Sequence, residues 1–315
     1  MSVSQTVITV GVHVLDVHVL PVEAIPEGQG AALVEQIRFS PAGTAAGTSV
    51  TLAKLGATVR TAGAVGADPI GDLLLGMLAG HGVDTSLVVR RDEVQTSASV
   101  LPIRPDGSRP AFHVPGANLA YGADDAPYAE LAQATHVHLG GPELMGGENA
   151  AKILAAARSA GAVTSADLLA PGDPGILEWI APALPYLDFL LPNDDQVRAL
   201  TETDSLEDGA RALIARGVGS VVVTREARGA LIVTADEAIA VPAFAVAVVD
   251  TTGCGDAFSA GFLRGIALGR TLPAAAVLGC AAAALVAQGL GTDHGQFDLA
   301  AADAFAAATP TLATA

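Results

Sequence analysis

Cysteine and aromatic residues are scarce in this sequence. Its 315 residues include two cysteines, Cys254 and Cys280, which provide neither a disulfide framework nor the spacing of a zinc site. So few cysteines fit a reducing compartment, and we expect a cytoplasmic protein. Aromatic residues make up 4% of the chain and hydrophobic residues 51%, so alanine, valine and leucine must build a sizeable core.

Basic residues are also few. The chain has 16 lysine and arginine residues against 33 aspartate and glutamate residues, a formal net charge of −17. Such a surface repels the phosphate backbone of DNA and RNA, so we predict no nucleic-acid partner. A phosphorylated small molecule is not excluded, because backbone N–H groups at a helix N-terminus bind phosphate locally.

Signals for membrane targeting are weak. No lysine or arginine precedes Arg38, so we expect no signal peptide. Residues 271–292 carry no charge and are numerous enough to span a bilayer. However, this stretch contains Pro273, Gln288 and many alanines, which favours a buried core helix and no membrane partner.

Strands and helices alternate along much of the chain. Apolar, β-branched runs predict strands, and the segments between them have helical patterns. The predicted strands are 59–65, 135–139, 163–167, 187–191 and 219–224, a hairpin is predicted at 229–241, and the predicted helices are 47–56, 69–81, 148–160, 174–184, 205–216, 254–268 and 272–288. This alternation predicts a doubly wound α/β fold with a mostly parallel sheet flanked by helices.

The N-terminal half contains strands that do not fit this alternation. Residues 6–14 are apolar and β-branched and predict a buried strand of the main sheet. Residues 12–20, 33–41 and 96–114 read as further strands, the last as a hairpin. We predict that these strands form a small separate sheet within a single domain of residues 1–315.

A glycine-rich segment leads from a predicted strand into a predicted helix. It reads Asp250-Thr251-Thr252-Gly253-Cys254-Gly255-Asp256. Such a turn exposes unpaired N–H groups at the positive end of a helix, which is a site for an anion such as phosphate. Asp256 would lie beside this site, where a carboxylate can take a proton from a hydroxyl that attacks a phosphoryl group. Alternatively, Asp256 is only a helix cap.

The complete string resembles Asp-Thr-x-Gly-Ala-Gly-Asp, the signature of the ribokinase (PfkB-type) carbohydrate kinase family, with Cys254 in place of alanine. The resemblance implies a ribokinase-like fold with a small β-sheet lid, the cofactors ATP and magnesium, and Asp256 as the catalytic base. The amides of Gly253, Cys254 and Gly255 would stabilise the transferring phosphoryl group. Cys254 fits either a small apolar residue or a redox-sensitive thiol at a helix start.

Other segments extend this resemblance over nearly the whole chain. Residues 41–47 stand where the family has a Gly-Gly-x-x-x-Asn segment that contacts the sugar, and residues 116–118 match a family tripeptide. The implied acceptor-binding residues are His13, Asp16, Gly43, Gly47 and Asn118. Asp16 would bind a pair of hydroxyls, because a buried unpaired carboxylate is costly. His13 fits a satisfied core histidine equally well.

The resemblance also assigns residues to the nucleotide side of the site. They are Asp167, Asn193, Thr224, Gly229, Gly255 and Cys280. Asn193 would organise magnesium through water, or cap a helix, or do both. Gln196 stands where the family has glutamate, so either Asp194 or Asp195 substitutes for that charge or ATP itself holds the magnesium. Asp250 and Thr252 match positions that hold a monovalent cation in many relatives, which admits potassium. As the family implies, no Walker A sequence is present.

The acceptor region departs from the sugar kinases. Gly47 replaces the asparagine that grips the sugar, and Gly140-Gly141 stands where ribokinases carry a carboxylate. We predict an ATP-dependent kinase that phosphorylates a hydroxyl of a sugar or sugar-like molecule in a roomier pocket. Two alternatives stay open: a nucleoside kinase that uses Phe112 or Tyr121 as a platform for the base, and a non-catalytic binding homologue.

Lid sheets in this family often pair between two protomers. The predicted strand after residue 96 offers the apolar residues Ala98, Val100 and Ile103 for such a contact. We therefore predict a homodimer that forms through the lid strands.

Overall fold

The fold is built around one large sheet with a small second sheet beside it. A computed structural model describes residues 5–105, 108–169 and 173–313. The described strands are β1 (Thr6–Gly11), β2 (Val14–Leu20), β3 (Gln36–Ala42), β4 (Thr58–Gly66), β5 (Asp84–Arg91), β6 (Ala98–Pro102), β7 (Phe112–Val114), β8 (His136–Gly140), β9 (Val163–Asp167), β10 (Phe189–Leu190), β11 (Ser220–Thr224), β12 (Ala230–Val233) and β13 (Ala238–Val241). Nine of them form the main sheet in the order β13-β12-β11-β10-β9-β8-β1-β4-β5.

Helices cover both faces of this sheet. They are α1 (Thr44–Lys54), α2 (Pro69–Gly80), α3 (Tyr128–Leu131), α4 (Pro142–Met145), α5 (Gly147–Ser159), α6 (Pro174–Ile180), α7 (Asp194–Thr201), α8 (Leu206–Ala215), α9 (Cys254–Ala267), α10 (Leu272–Val286) and α11 (Leu299–Ala308). Among the described residues, no helix has the length and apolar character needed to cross a membrane. The uncharged stretch forms α10, as expected, with most of its residues buried.

Successive residues of the central strands pack into two different cores. Ile8 and Val10 of β1 belong to the core that includes Leu154 of α5, whereas Val7 belongs to the core that includes Val50 of α1 and Phe262 of α9. A strand buried on both faces is typical of a parallel sheet between two helix layers. The pairs from β10 and β11 through to β4 and β5 are parallel, and β12 and β13 are antiparallel, so the predicted doubly wound architecture is confirmed.

The first predicted strand, residues 6–14, is two strands that belong to different sheets. β1 ends at Gly11, whose φ of 125° lies outside the range of ordinary L-residues. A Cβ at Gly11 would overlap the carbonyl oxygen of Gly140 on the neighbouring strand β8. The chain therefore turns at this glycine and enters the second sheet as β2, and the prediction of one continuous strand was wrong.

The second sheet is the predicted lid. It contains four described strands in the order β3-β2-β6-β7. Its strands agree with the predicted ranges 12–20, 33–41 and 96–114, except that the tip of the hairpin, residues 106–107, lies outside the described residues. The register places Ser40, Asp16, Ser99 and His113 in one row across the four strands. The adjacent row, on the opposite face, contains Phe39, Val17, Val100 and Phe112.

Two further elements differ from the sequence-based expectation. Strand β5 was not predicted, because Asp84–Arg91 has charged residues at both ends, as an exposed edge strand often does. The predicted helix 174–184 ends as α6 at Ile180 and continues as a 3₁₀ turn over Ala181–Tyr186. Pro185 lies inside that turn, and proline cannot continue an α-helix without losing a hydrogen bond.

Replacing Gly11 by alanine should destabilise the protein strongly. The Cβ would be forced against Gly140 in a backbone conformation that alanine avoids, with a cost of roughly 2–4 kcal/mol. Urea unfolding followed by circular dichroism measures this change. Gly28→Ala is the control, because Gly28 also has a positive φ, of 58°, but nothing lies within 4 Å of its Cβ position. Equal losses in the two variants would contradict the proposed overlap.

Candidate active site at the start of helix α9

The glycine-rich segment forms an open turn immediately before α9. The strand predicted to lead into it is absent, because β13 ends at Val241 and residues 245–253 form no strand. Gly253 precedes the helix with a φ of 75°, a conformation that favours glycine. The N–H groups of Gly253 and Gly255 donate no hydrogen bond within the described part of the chain, and nothing lies within 4 Å of the Cβ position of Gly255. The N–H of Cys254 differs, because it donates to the carbonyl oxygen of Thr251 at 3.3 Å. Two of the three predicted amides are thus free to bind an anion.

The catalytic candidate Asp256 lies in the first turn of α9, facing helix α1. A Cβ at Gly47 would overlap Oδ2 of Asp256 and would lie 2.7 Å from Cγ2 of Thr292. No asparagine side chain could fit at position 47 without displacing this carboxylate. The departure from the family pattern at Gly47 therefore leaves room for Asp256, and Gly47 offers no side chain to the acceptor.

Asp256 belongs to a group of neighbouring carboxylates. Burial raises its pKa well above the ordinary range, and the charges of Asp167 and Asp16 raise it further. Asp167, at the end of β9, accepts one long hydrogen bond from Ser259 at 3.4 Å, and its Oδ1 is buried without a partner among the described residues. Its Oδ2 also lies 3.4 Å from Nε2 of His138. A carboxylate with a raised pKa beside an anion site is suited to accept a proton.

Asp16 faces this group from the lid. Its carboxyl accepts a hydrogen bond from Ser99, and Ser99 Oγ lies 3.0 Å from Nδ1 of His113 on the next strand. Burial raises the pKa of Asp16 to about 6, although the bond from Ser99 and the positive charge of Arg109 oppose the shift. The polar row of the lid therefore provides a buried carboxyl and an exposed imidazole, and sequence reasoning had missed His113.

Two of the predicted acceptor residues form the hinge between sheet and lid. His13 is fully buried, with Nδ1 at 2.8 Å from the carbonyl oxygen of Gly11 and Nε2 at 2.8 Å from Oγ1 of Thr61. Asn118 accepts a hydrogen bond from the backbone N–H of His13 and donates one to its carbonyl oxygen, both at 3.0 Å. These partners favour the alternative of a satisfied core histidine over a substrate contact. Burial lowers the pKa of His13 to about 4, so the ring is neutral.

Gly43 has a backbone role in the same hinge. Its φ is 91°, and a Cβ there would lie 2.6 Å from the carbonyl oxygen of Val12. That oxygen accepts hydrogen bonds from the N–H groups of Ala45 and Ala46, at the start of α1. Of the predicted acceptor residues, the structure thus brings Asp16 and Gly47 towards Asp256 and leaves His13, Gly43 and Asn118 in the hinge.

The nucleotide-side residue Asn193 caps helix α7. Its side chain accepts a hydrogen bond from the N–H of Gln196, and Oε1 of Gln196 accepts one from the N–H of Asn193. Nε2 of Gln196 also donates to the carbonyl oxygen of Leu168 at 3.0 Å, which a glutamate could not do. The helix cap that was predicted as one alternative is therefore present. The hydrogen bond to Leu168 gives a structural reason for glutamine at position 196. Asn193 and Thr224 form an isolated parallel β-bridge, so these two predicted residues are adjacent.

The neighbouring carboxylates Asp194 and Asp195 already pair with arginines. Asp194 is bound by Arg198 at 2.9 Å and by Arg228 at 2.5 Å. Asp195 is 92% exposed and pairs with Arg198. Among the described residues, no group of three or more histidine, cysteine, aspartate or glutamate side chains could hold a metal ion. A magnesium ion at this site would be held mainly by the phosphates that it accompanies.

Gly229 and Cys280 lie on either side of Arg225. A Cβ at Gly229 would overlap the carbonyl oxygen of Val241, and its φ is 77°, so only glycine fits. Burial raises the pKa of the Cys280 thiol to about 12, against the opposing charge of Arg225. Nε of Arg225 is buried without a hydrogen-bond partner among the described residues. Sequence reasoning did not identify this arginine, which borders the predicted nucleotide loop.

Protein donors already surround the predicted cation ligands Asp250 and Thr252. Oδ1 of Asp250 accepts hydrogen bonds from the N–H and Oγ1 of Thr252, at 3.0 and 2.7 Å, and Oδ2 accepts one from the N–H of Gly291 at 2.9 Å. The guanidinium of Arg109, in the lid hairpin, lies 3.6 Å from Oδ1 and donates to Oγ1 of Thr251. Burial pushes the pKa of Asp250 upward, but these donors outweigh it, so the pKa is lowered.

Cys254 is a packed thiol and not an activated one. Burial raises its pKa to about 12, and the charge of Asp250 adds to this shift. Its Sγ contacts the carbonyl oxygen of Ala283 at 3.6 Å. A thiol that stays protonated is a poor nucleophile, so the small-residue interpretation is favoured over the redox one.

The fold and this site define an α/β kinase with a β-sheet lid, and comparisons with known proteins agree. A profile of the pfkB family carbohydrate kinases matches residues 5–297. The ATP-dependent ribose-1-phosphate kinase of Halopiger xanaduensis is 33% identical over 250 residues, which cover 78% of this chain and 79% of the relative.

Solved structures show the same fold. Arabidopsis thaliana ribokinase complexed with ribose and ATP aligns with a TM-score of 0.84 at 23% identity, over 96% of this chain and 99% of that one. A putative ribokinase II from E. coli, in complex with ATP and Mg²⁺, aligns with a TM-score of 0.81 at 22% identity, over 96% and 98%.

The chain therefore belongs to the pfkB family of carbohydrate kinases. It is a carbohydrate kinase, an enzyme that transfers a phosphoryl group to a hydroxyl. The family and the fold predicted from the seven-residue string are both confirmed.

Adding a methyl group at Gly47 should impair catalysis selectively. In Gly47→Ala the new Cβ would push the Asp256 carboxylate out of place, and a displacement of about 1 Å lowers kcat by roughly 100-fold. Steady-state kinetics with the true acceptor measure this loss, while ATP affinity should change little. Gly76→Ala is the control, because Gly76 also lies inside a helix but has nothing within 4 Å. Wild-type kcat in Gly47→Ala would disprove the contact.

Proposed function

We propose that this enzyme uses ATP to phosphorylate a hydroxyl group of a sugar or sugar-like ring, held between the lid and the start of α9. The observation that carries the proposal is the position of Asp256, whose carboxylate lies beside an open glycine turn and has a raised pKa. The open turn and the base together argue against a non-catalytic binding homologue.

The chain's own groups divide the work of phosphoryl transfer. Asp256 takes the proton of the attacking hydroxyl, and the N–H groups of Gly253 and Gly255 stabilise charge on the transferring phosphoryl group. Mg²⁺ would neutralise the phosphates of ATP. Asp167 has one carboxylate oxygen without a partner, so it is the described side chain best placed to face the magnesium ion. The lid closes over the reacting groups and excludes water.

The acceptor is bound from the lid. Asp16 and the exposed ring of His113 lie in the inner row of the lid, where they can bind neighbouring hydroxyls. A nucleoside fits less well, because neither proposed platform faces the site. Phe112 lies in the opposite row and is 61% exposed, and Tyr121 is 4% exposed. We therefore favour a sugar over a nucleoside.

A sugar that already carries a phosphate is a second candidate acceptor. The guanidinium of Arg109 is 34% exposed and lies beside Asp250 and Asp16, where it can bind an anionic group on the acceptor. The relative from Halopiger xanaduensis is named for ribose 1-phosphate, which carries such a group.

A potassium ion beside Asp250 is the least supported part of the expected cofactor set, because hydrogen-bond donors already surround that carboxylate. The cytoplasmic location stays a prediction.

A panel of acceptors tests this function. Purified enzyme with ATP and magnesium should consume ATP with at least one of ribose, fructose, 2-keto-3-deoxygluconate or ribose 1-phosphate, and not with adenosine or inosine. Asp256→Asn should lower kcat by about 10²–10⁴-fold while ATP affinity is preserved, because only the base is lost. Turnover restricted to nucleosides would support the nucleoside alternative. Near-normal kcat in Asp256→Asn would disprove the base, and ligand-induced stabilisation without any turnover would support a binding protein.

We also propose that two protomers pair through the outer face of the lid. Phe39, Val100 and Phe112 lie in one row there and are 45%, 42% and 61% exposed, which is unusual for such residues. Of the other residues expected to join this contact, Ala98 lies two residues from Val100 and so on the same face of β6, whereas Ile103 lies beyond β6 and is 8% exposed. The edge strands β3 and β7 add unpaired backbone groups next to the apolar row.

Val100→Asp should convert the dimer to a monomer, because it places a charge at the centre of the apolar row. Light scattering coupled to size-exclusion chromatography measures the mass of both proteins. Leu268→Asp is the control for an added charge, since Leu268 is 42% exposed and lies at the opposite end of α9 from the anion turn. A wild-type mass equal to one chain would disprove the proposed dimer.

A further inference from the structure

The side chain of Lys54 ends among backbone carbonyl oxygens. Its Nζ donates hydrogen bonds to the carbonyl oxygens of Asp293, His294 and Gly295, at 2.7, 2.9 and 2.8 Å. An ammonium has three donors, so these three acceptors satisfy it completely. The chain has only two lysines, and the other, Lys152, is exposed. A ring of carbonyl oxygens is also what surrounds a bound potassium ion.

The segment that holds this ammonium lies directly behind the anion site. We call residues 291–295 the carbonyl loop. Gly291 donates to Asp250 at its start, and the buried Thr292 packs against the other side of Gly253, where a Cβ would lie 2.5 Å from Cγ2 of Thr292. Any shift of the carbonyl loop would therefore move the backbone whose N–H groups face the phosphoryl group.

Helix α1 holds the carbonyl loop at two points. Gly47 and Lys54 are seven residues apart, which is two turns, so they lie on the same face of the helix. Gly47 contacts Thr292 and Asp256, and Lys54 binds the carbonyl oxygens just beyond. The base, the anion turn and the lysine are therefore connected through one helix face and one loop.

A network of ion pairs and an aromatic ring lie around the ammonium of Lys54. The carboxylate of Asp293 is bound by Arg38 at 2.8 Å and faces His81 at 3.3 Å. The ring of Phe297 lies 4.9 Å from Nζ of Lys54. Burial lowers the pKa of Lys54 to about 8, with Asp293 opposing the shift, so the group is mostly charged at neutral pH.

We propose that Lys54 is a built-in cation that positions the carbonyl loop and the anion turn, so that this kinase works without an added monovalent cation. The proposal rests on the proposed kinase function. It disagrees with the potassium site expected at Asp250 and Thr252, where N–H and O–H donors and Arg109 already surround the carboxylate. Lys54 acts through the backbone of the carbonyl loop and is therefore a positioning residue.

The first test compares salts with the wild-type enzyme. ATP is supplied as its Tris salt with magnesium chloride, and the ionic strength is set with tetramethylammonium chloride, an ion too large for the carbonyl loop. The rate should be unchanged when potassium, sodium or ammonium chloride replaces that salt. A rate that depends on potassium would overturn the proposal, whereas no turnover in any salt with any acceptor would contradict the kinase function instead.

The second test removes the charge and then restores it. Lys54→Met keeps a long apolar stem without the ammonium, and it should lower kcat by about 10- to 100-fold with little change in the KM for ATP. Ammonium or potassium ions should restore part of this loss, because the three carbonyl oxygens are then open to a small cation. Lys152→Met is the control and should behave as wild type in every salt.

Two outcomes of the second test would overturn the proposal. One is full activity of Lys54→Met in tetramethylammonium chloride, and the other is a folded but impaired variant that no small cation restores. A merely structural lysine would give the second outcome. If Lys54→Met unfolds too readily for kinetics, its thermal unfolding midpoint is measured instead. That midpoint should rise with potassium or ammonium more than the wild-type midpoint does, and an equal rise in both proteins would count against the carbonyl site.

Discussion

The carboxylate of Asp256 occupies the space that a side chain at position 47 would need. This contact between α9 and α1 requires glycine at position 47 and brings the base next to Thr292. Because Thr292 packs against Gly253 as well, the same few atoms determine where the base and the anion turn lie. The acceptor site loses a polar side chain at position 47 as a result. Chemistry and acceptor specificity are therefore linked by one steric constraint.

The two faces of the lid carry different kinds of side chain, because successive residues of a strand point to opposite faces. Asp16, Ser99 and His113 lie in one row, on the face from which Asp16 approaches Asp256, and Val17, Val100 and Phe112 lie in the next row on the other face. A shift of one residue in the register would exchange these rows and would expose the polar groups outward. The hinge at Gly11, Gly43 and His13 holds the register in relation to the main sheet. These hinge residues therefore determine which lid side chains face the substrate, although they make no polar contact to it.

Three basic side chains lie around the site of this acidic protein. Of its 16 basic residues, Arg109, Lys54 and Arg225 lie around the site, each beside a different part of it. Arg109 approaches the acceptor side, Lys54 the loop behind the anion turn and Arg225 the nucleotide side. These positive groups are single side chains, which suits a small anionic ligand.

Local patterns were sufficient to predict most of the fold and the centre of the site. The alternating strands and helices indicated the doubly wound sheet, and the three unusual strand segments indicated the lid, because burial on one or two faces leaves a periodic record. Strand β5 was missed because an edge strand needs fewer apolar residues. The position of Asp256 beside the anion turn was predictable because a glycine turn and an acidic first helical turn are neighbours along the chain.

Contacts between distant segments were not predictable in the same way. His13 and Asn118 matched expected acceptor positions. However, the hydrogen bond of His13 to Thr61 and the bonds between His13 and Asn118 appear only when residues 48 and 105 positions apart meet. Lys54 carries no local signal at all, since its three partners lie about 240 residues away. The sequence by itself determined the family and the fold class, because these depend on local order. Only the tertiary structure decided which of the expected site residues lie together and which backbone carbonyls hold Lys54, because those contacts depend on which atoms occupy the same space.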